Sequence, residues 1–222
     1  MHQSGKIRSG LLLSFKILTL CIYAWFCWLM VKITWQYRYF ESDVAFLRIK
    51  QEYVGMLHYR IVFFVHVFSA IFVLLAGFTQ FSKSLRTKYP SVHRKLGKIY
   101  VYVTLFLAAP SGFAIGVYAN GGIGSRIAFC MLAVLWWYFT FMAMRTAIKK
   151  KFLLHRDFMI RSFSLALSAI TLRAWKFAIV YYFQPKPMDV YRIVAWLGWV
   201  LNLLIAELII INLHKKYKNQ KT

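Results

Sequence analysis

A handful of ionisable side chains stand inside long apolar runs of this chain or at their mouths: His66, His93, His155, Asp157, Arg161, Arg173 and Glu207. In hydrocarbon such groups are costly unless they are paired, wetted or functional, so each is a candidate by default. A neutral imidazole can relay a proton or ligate a metal or haem iron. An arginine fork binds carboxylate or phosphate through two parallel hydrogen bonds. A glutamate facing an arginine across two helices can lock them together or hand on a proton. The six histidines are scattered, which gives no dense metal-ligating cluster, and no metal is expected. There is likewise no phosphate loop, zinc-protease helix or Ser-His-Asp arrangement.

What must position these residues is a set of membrane helices. Of the 222 residues 60% are hydrophobic and 19% aromatic, too much apolar surface for a soluble domain of this size to hide. Six apolar stretches, about 11–34, 61–81, 99–119, 127–147, 158–183 and 191–213, are each long enough to cross a hydrocarbon core of about 30 Å as a helix. The expected fold is therefore all-α, a polytopic membrane helix bundle with six transmembrane helices in a single integral membrane domain over 1–222. The first stretch follows Lys6 and Arg8 but is too long for a signal peptide. Trp25, Trp28 and Trp35 stand where a small-residue cleavage site would be, so it reads as a retained helix. Cys21, Cys27 and Cys130 lie inside apolar runs and read as packing residues.

The formal charge of +23 could suggest nucleic acid, but the 29 Lys and Arg residues sit mainly in short segments flanking the apolar runs, where membrane orientation explains them better. With the N-terminus inside, the inner segments carry seventeen of them and the outer segments seven. That asymmetry predicts both termini in the cytoplasm, and the bacterial cytoplasmic (inner) membrane is the expected location. The longest outer connection, 35–60, holds Glu41, Asp43 and Glu52, three of the six acidic residues. Its apolar pattern Val44, Leu47, Ile49, Val54 and Leu57 predicts a short interfacial helix. Asn120-Gly121-Gly122 and Gln184-Pro185-Lys186-Pro187 read as tight outer turns, and Trp35, Tyr37, Tyr181 and Tyr182 as an interfacial aromatic belt. In the third helix, Pro110, Gly112 and Gly116 combine a kink signal with a small-residue packing face.

Depth sorts the polar residues into layers. At about 1.5 Å per residue, His66 lies about 9 Å below the outer end of the second helix, and Arg173 about 24 Å above the inner start of the fifth. These two share the outer half. Arg161 and Glu207 fall about 6 and about 9 Å from the inner side, which predicts an ion pair between the fifth and sixth helices. An internal echo adds a third feature. Leu85-Arg86-Thr87 is followed by His93-Arg94 and a helix, and Met144-Arg145-Thr146 by His155-Arg156 and a helix, so two hairpins each present a His-Arg pair at the inner end. Such a pair could serve as an anchor or bind an anionic lipid headgroup.

Val65-His66-Val67-Phe68, Gly77, Gln80-Phe81, Leu85-Arg86 and Pro90-Ser91-Val92-His93-Arg94-Lys95-Leu96-Gly97-Lys98-Ile99-Tyr100 form one signature, and His155-Arg156-Asp157-Phe158-Met159-Ile160-Arg161-Ser162 with Thr171-Leu172-Arg173 a second. In this order they resemble a bacterial predicted-membrane-protein family, domain of unknown function 2306, over about 59–173. That resemblance implies an architecture and no reaction.

Three activities fit these residues. A proton-coupled or anion-binding carrier would use the outer layer of His66 and Arg173, the inner layer of Arg161 and Glu207, and the kinked third helix between them, although broken helices and an inverted repeat are not visible in the sequence. A b-type haem electron carrier would draw axial ligands from His66, His93 and His155. For it, His66 and His155 differ in depth, while His93 and His155 match in depth but sit at the surface. A membrane-embedded enzyme acting on lipid headgroups would use His93, His155 and Asp157. Expected partners are the bilayer itself and anionic headgroups at the inner loops, with no nucleic acid.

Overall fold

The computed structural model describes residues 2–220, with side chains for all of these except 2–13, 16, 78 and 83. Lys221 and the side chains of Lys6, Arg8 and Lys83, which enter the charge asymmetry above, lie outside the described residues. The chain is 86% helical, with no strand among the described residues. It runs α1 (His2–Trp35), a 3₁₀ turn (Ala45–Lys50), α2 (Gln51–Val54), α3 (Leu57–Thr79), α4 (Lys83–Lys88) and α5 (Pro90–Val103). A π turn (Thr104–Ala108) then leads to α6 (Ala109–Val117), α7 (Ile123–Ile148), α8 (Phe152–Ala166), α9 (Ser168–Phe183) and α10 (Pro187–Asn219).

Among the described residues five helices are long and apolar enough to span a membrane, α5 to α6 counting as one, and α8 with α9 form a sixth span bent by 41°. The start of α1 and the end of α10 belong to one side of this bundle, here the tail face; residues 36–60, 118–122 and 184–187 form the opposite loop face. Most helices outrun the apolar stretches that announced them, notably α5, which begins at Pro90, and α10, which continues to Asn219. Apolar sequence marks the thickness of the hydrocarbon, whereas the backbone ladder goes on into the headgroup layer, where Lys and Arg stems reach water.

The fifth span is not the continuous helix that 158–183 suggested. It breaks at Leu167, between α8 and α9, without a proline or glycine. The cause comes from outside the helix: the Asn202 amide on α10 donates to the Ser164 carbonyl at 3.0 Å and to Thr171 Oγ1 at 2.9 Å. A side chain inserted into a helical ladder is a recognised source of a sharp bend. The other discontinuity was announced by Pro110, which brings no N–H to the ladder and crowds the carbonyl four residues back. The chain widens there into the π turn, and the Ala109 N–H reaches the Thr104 carbonyl.

α7 packs against α6 and α8, α3 against α5 and α6, and α10 against α8, α9 and α7. Gly77 on α3 lets Phe163 and Tyr100 press in; a Cβ there would lie 2.6 Å from the Phe163 ring and 2.8 Å from Tyr100. With little hydrophobic drive between helices in lipid, such close approach is the main source of cohesion. α1 stands at the margin, touching α3 and barely α9, with the Tyr23 hydroxyl donating to the Leu74 carbonyl at 2.7 Å.

The connection after α1 departs from the amphipathic interfacial helix expected of it. The 3₁₀ turn and α2 form a plug docked on the loop face: Leu47 and Val54 are buried with Tyr37, Tyr59 and Phe63, while Ile49 and Leu57 face outward. Tyr37, expected in the aromatic belt, lies inside this plug and accepts the Phe46 N–H on its hydroxyl. Lys50 is buried as well, its ammonium donating to the Tyr118 carbonyl and to Asn120 Oδ1. Asn120 can present its side chain because Gly121 and Gly122 take the turn at φ of 83° and 82°, where side chains are strained.

Candidate functional site

Polar residues on α8 and α9 face polar residues on α10 along a seam that begins at the tail face. Asp157 is nearly fully buried; its Oδ2 lies 2.6 Å from His214 Nε2, and its Oδ1 accepts from Arg156 at 2.9 Å. One turn deeper Arg161 meets Glu207 through two parallel bonds of 2.5 and 2.8 Å, with the Phe139 and Phe158 rings 5.9 and 5.6 Å from the guanidinium. Ser164, Asn202 and Thr171 continue the seam past the bend to the Gly198 carbonyl, which accepts from Thr171 at 2.6 Å. Positions 157, 161, 164 and 171 recur at the spacing of one helix face, so the fold stacks their polar groups rather than scattering them.

The two His-Arg signatures meet beside this seam. Tyr100 of the first bonds Ser162 of the second at 2.7 Å in the buried core, and Thr140 on α7 bonds the same Ser162 hydroxyl at 2.7 Å. Tyr100 and Ser162 are 62 residues apart, as are His93 and His155. The same offset carries the π turn at 104–108 onto the break at Leu167. The echo is thus structural: α5 and α8 both leave the tail face, each starts near a His-Arg pair, and each is interrupted about four turns after its start.

His93 and His155 lie close enough for the charge of one to bear on the other, with Arg86 and Arg94 also acting on His93. His155 Nδ1 sits 2.8 Å from the Ala143 carbonyl, which can only accept, so Nδ1 is the donor and, in the neutral ring, Nε2 is the lone-pair nitrogen. For His93 the roles reverse: the Gln80 amide, turned to satisfy its neighbours, offers N–H to His93 Nδ1 at 3.3 Å while taking the Gly97 N–H at 3.2 Å.

His66 and Arg173 lie apart from the seam, toward the loop face. His66 Nδ1 donates to the Ala108 carbonyl at 2.9 Å at the end of the π turn, a carbonyl that Ser111 Oγ also reaches at 3.2 Å. Trp137 Nε1 bonds the Leu105 carbonyl at 3.2 Å, five residues before Pro110, which has no N–H to offer it. Gly112 makes room for the imidazole, since a Cβ there would lie 2.9 Å from His66 Cε1. Arg173 is near enough for its charge to act on His66 and on Tyr37. Its guanidinium donates at 2.5 Å to the Ala169 carbonyl of its own helix, and no carboxylate pairs with it among the described residues. Beside it a groove of about 380 Å³ is lined by Arg173, Lys176, Phe177, Val180 and Tyr181.

Arg161 meets Glu207 as rise per residue predicts, and Arg173 lies near enough to His66 for its charge to act there. His214 joins the site only because α10 continues beyond the apolar run, and the burial of Lys50 depends on how the plug docks; neither was among the expected residues. Asn202, a lone amide in an apolar stretch, was the one available signal for the seam. Among the described residues no three His, Cys, Asp or Glu side chains converge as a metal site.

The fold and these polar layers define a multi-pass, α-helical integral membrane protein. The chain matches the model of the family described as predicted membrane protein (DUF2306) over residues 63–210, and it belongs to that family. The matched region runs past the second signature through most of α10, and so takes in both partners of the Arg161–Glu207 pair. No curated protein and no solved structure matches the chain.

Proposed function

We propose that this protein is a proton-coupled carrier, with both termini in the cytoplasm of a bacterial inner membrane, and that the seam between α8–α9 and α10 is its proton path. The observation that carries the reading is the stacking of Asp157–His214 and Arg161–Glu207 at the start of a line of hydroxyl and amide groups leading into the bundle. The Asp157 carboxylate is buried while the His214 imidazole on it is half exposed, so the pair links the tail-face surface to the interior, as the mouth of a proton path requires. The two interrupted helices, α5–α6 and α8–α9, add the broken segments on which carriers build their sites. Here the two interrupted helices run in the same direction, both starting from the tail face.

Vesicles containing the purified protein and a pH-sensitive dye test this. Anion gradients of carboxylates and of phosphate are imposed in turn, and proton entry is followed for the parent, Asp157→Asn and Glu207→Gln. At least one anion should drive proton movement in the parent, with a loss of tenfold or more in Asp157→Asn. Flux equal to that of empty vesicles across the whole panel would overturn the reading.

One observation favours a second reading, a b-type haem electron carrier. His155 keeps Nε2 free while Nδ1 is tied to a carbonyl, the arrangement of a ligating histidine, and His93 approaches it from the matching position of the repeat. A Soret band in protein purified from haem-supplied cells, lost in both His93→Ala and His155→Ala, is the expected signature. A colourless preparation removes it.

A further inference from the structure

The cleft beside α9 holds a charge that the fold does not neutralise. Arg173 is ten residues, about 15 Å, from the loop-face end of α9 at Phe183, and so lies at hydrocarbon depth. An arginine placed there for packing would snorkel toward the nearer interface. This one is turned the other way, toward the bilayer centre, with its Nη1 on the Ala169 carbonyl. Its side chain is open to the groove, and among the described residues each acidic side chain that makes an ion pair makes it with another cation: Asp157 with Arg156 and His214, Glu207 with Arg161, Asp189 with Arg192 and Asp43 with Arg48. The groove runs from Arg173 along one face of α9, past Lys176 one turn nearer the loop face and then along Phe177, Val180 and Tyr181. α1 touches α9 only slightly and leaves this face laterally open.

We infer that the α9 groove is a binding site for a single-tailed amphiphile with a carboxylate head, the head on the Arg173 fork and the tail along Phe177, Val180 and Tyr181. Charge complementarity selects the head. One deeply placed planar guanidinium matches one carboxylate through two parallel bonds, which cancels the charge and uses both acceptor oxygens. A phosphate monoester would bring up to two charges to the same depth of the hydrocarbon, and a phosphodiester lipid would have to drag a polar headgroup well below its normal level. An uncharged alcohol would leave Arg173 as it is now. The open side of the groove admits the ligand from the membrane, and Lys176 stands where an arriving carboxylate would first meet a positive charge. This deepens the carrier reading by naming what would be carried, and rests on it only for movement; binding alone stands on the groove and Arg173.

Equilibrium binding to the full-length protein in nanodiscs of zwitterionic lipid tests the site, with palmitate, hexadecanol and a lysophosphatidate of the same chain length as probes. Palmitate should saturate one site and bind at least tenfold more tightly than hexadecanol or the lysophosphatidate. Arg173→Gln should lose tenfold or more in palmitate affinity, Arg173→Lys less than that, and a diazirine-bearing palmitate should label α9 in the parent. The comparison of heads uses the parent protein alone, so it stands even if Arg173→Gln fails to fold. Equal affinity for palmitate and hexadecanol would overturn the inference, as would tighter binding of the lysophosphatidate, unsaturable palmitate uptake, or unchanged palmitate affinity in a folded Arg173→Gln. Saturable palmitate binding without proton-linked flux would leave this site standing and remove the carrier.

Discussion

Arg161 and Arg173 stand on the two halves of one broken span and are treated in opposite ways. Arg161 faces α10, where Glu207 closes on it with two bonds, and aromatic rings flank its guanidinium. Arg173 looks away from α10 into a groove where the acceptor it meets is a carbonyl of its own helix. The cost of holding a cation in hydrocarbon is thus settled within the fold at the first site and left open at the second. The difference follows from neighbours rather than depth. α8 and α9 are packed by α10 on one side, and on the other side of α9 helix α1 makes only slight contact. A charge on the packed side is available for structure or relay; a charge on the unpacked side is available to a ligand.

The sharpest way to break this contrast is to neutralise each side in turn. Glu207→Gln strands Arg161 against apolar helices, and breaking a pair with this degree of exposure should cost on the order of 2 kcal/mol, between the values for exposed and fully buried pairs. Thermal unfolding in detergent would report it, and replacing both partners, Arg161→Met with Glu207→Met, should recover most of the loss. Arg173→Gln should change stability by less than about 0.5 kcal/mol, as expected of a side chain on which little else packs. Equal losses at the two arginines would show that the groove is part of the packed structure.

How far the sequence could anticipate this depends on where each determinant lies. The number of spans and the meeting of Arg161 with Glu207 were legible, because hydrophobic length and rise per residue fix depth without knowledge of packing. Pro110 announced a disturbance in the third span, yet not that Trp137 would reach the Leu105 carbonyl behind it or that His66 would bond the Ala108 carbonyl. The bend at Leu167 was illegible within its own segment, since its cause is Asn202, more than thirty residues on. Lys50 counted as one of the outer basic residues and is instead a buried anchor, because the docking of 45–54 on the 118–122 turn is a tertiary event with no local signature.

Gly112→Ala probes the surroundings of His66, on which the charge of Arg173 acts. The added methyl would meet His66 Cε1 at 2.9 Å and Nδ1 at 3.1 Å, so the imidazole must move off the Ala108 carbonyl. Overpacking together with one lost hydrogen bond should cost about 1–2 kcal/mol by thermal unfolding. If His66 helps shape the head end of the groove, palmitate affinity should also fall, while the Arg161–Glu207 side is untouched. A stability loss with unchanged binding would separate the π turn from the cleft and confine His66 to a structural part.

Lys50 offers a third treatment of a buried cation, and it titrates. Neutral acceptors surround its ammonium, and burial pulls it down to about 8, with Arg126 lowering it further and Glu52 opposing. In the unfolded chain the same amine holds its proton to about pH 10.4. Between those two values the unfolded state binds more protons than the folded one, so stability contributed at this site climbs with pH; below about pH 8 both states are protonated and the slope vanishes. Parent and Lys50→Met should therefore diverge by about 1 kcal/mol between about pH 8 and about pH 9, the parent gaining relative to the variant, with the tyrosines common to both cancelling in the difference. Unlike Arg173, Lys50 can give up its proton and keep its place, as a neutral amine still donates to Tyr118 and Asn120. A difference flat across that range would mean that the ammonium is fully compensated by those carbonyls, which would move Lys50 to the side of Arg161 and leave Arg173 as the one uncompensated cation of the three.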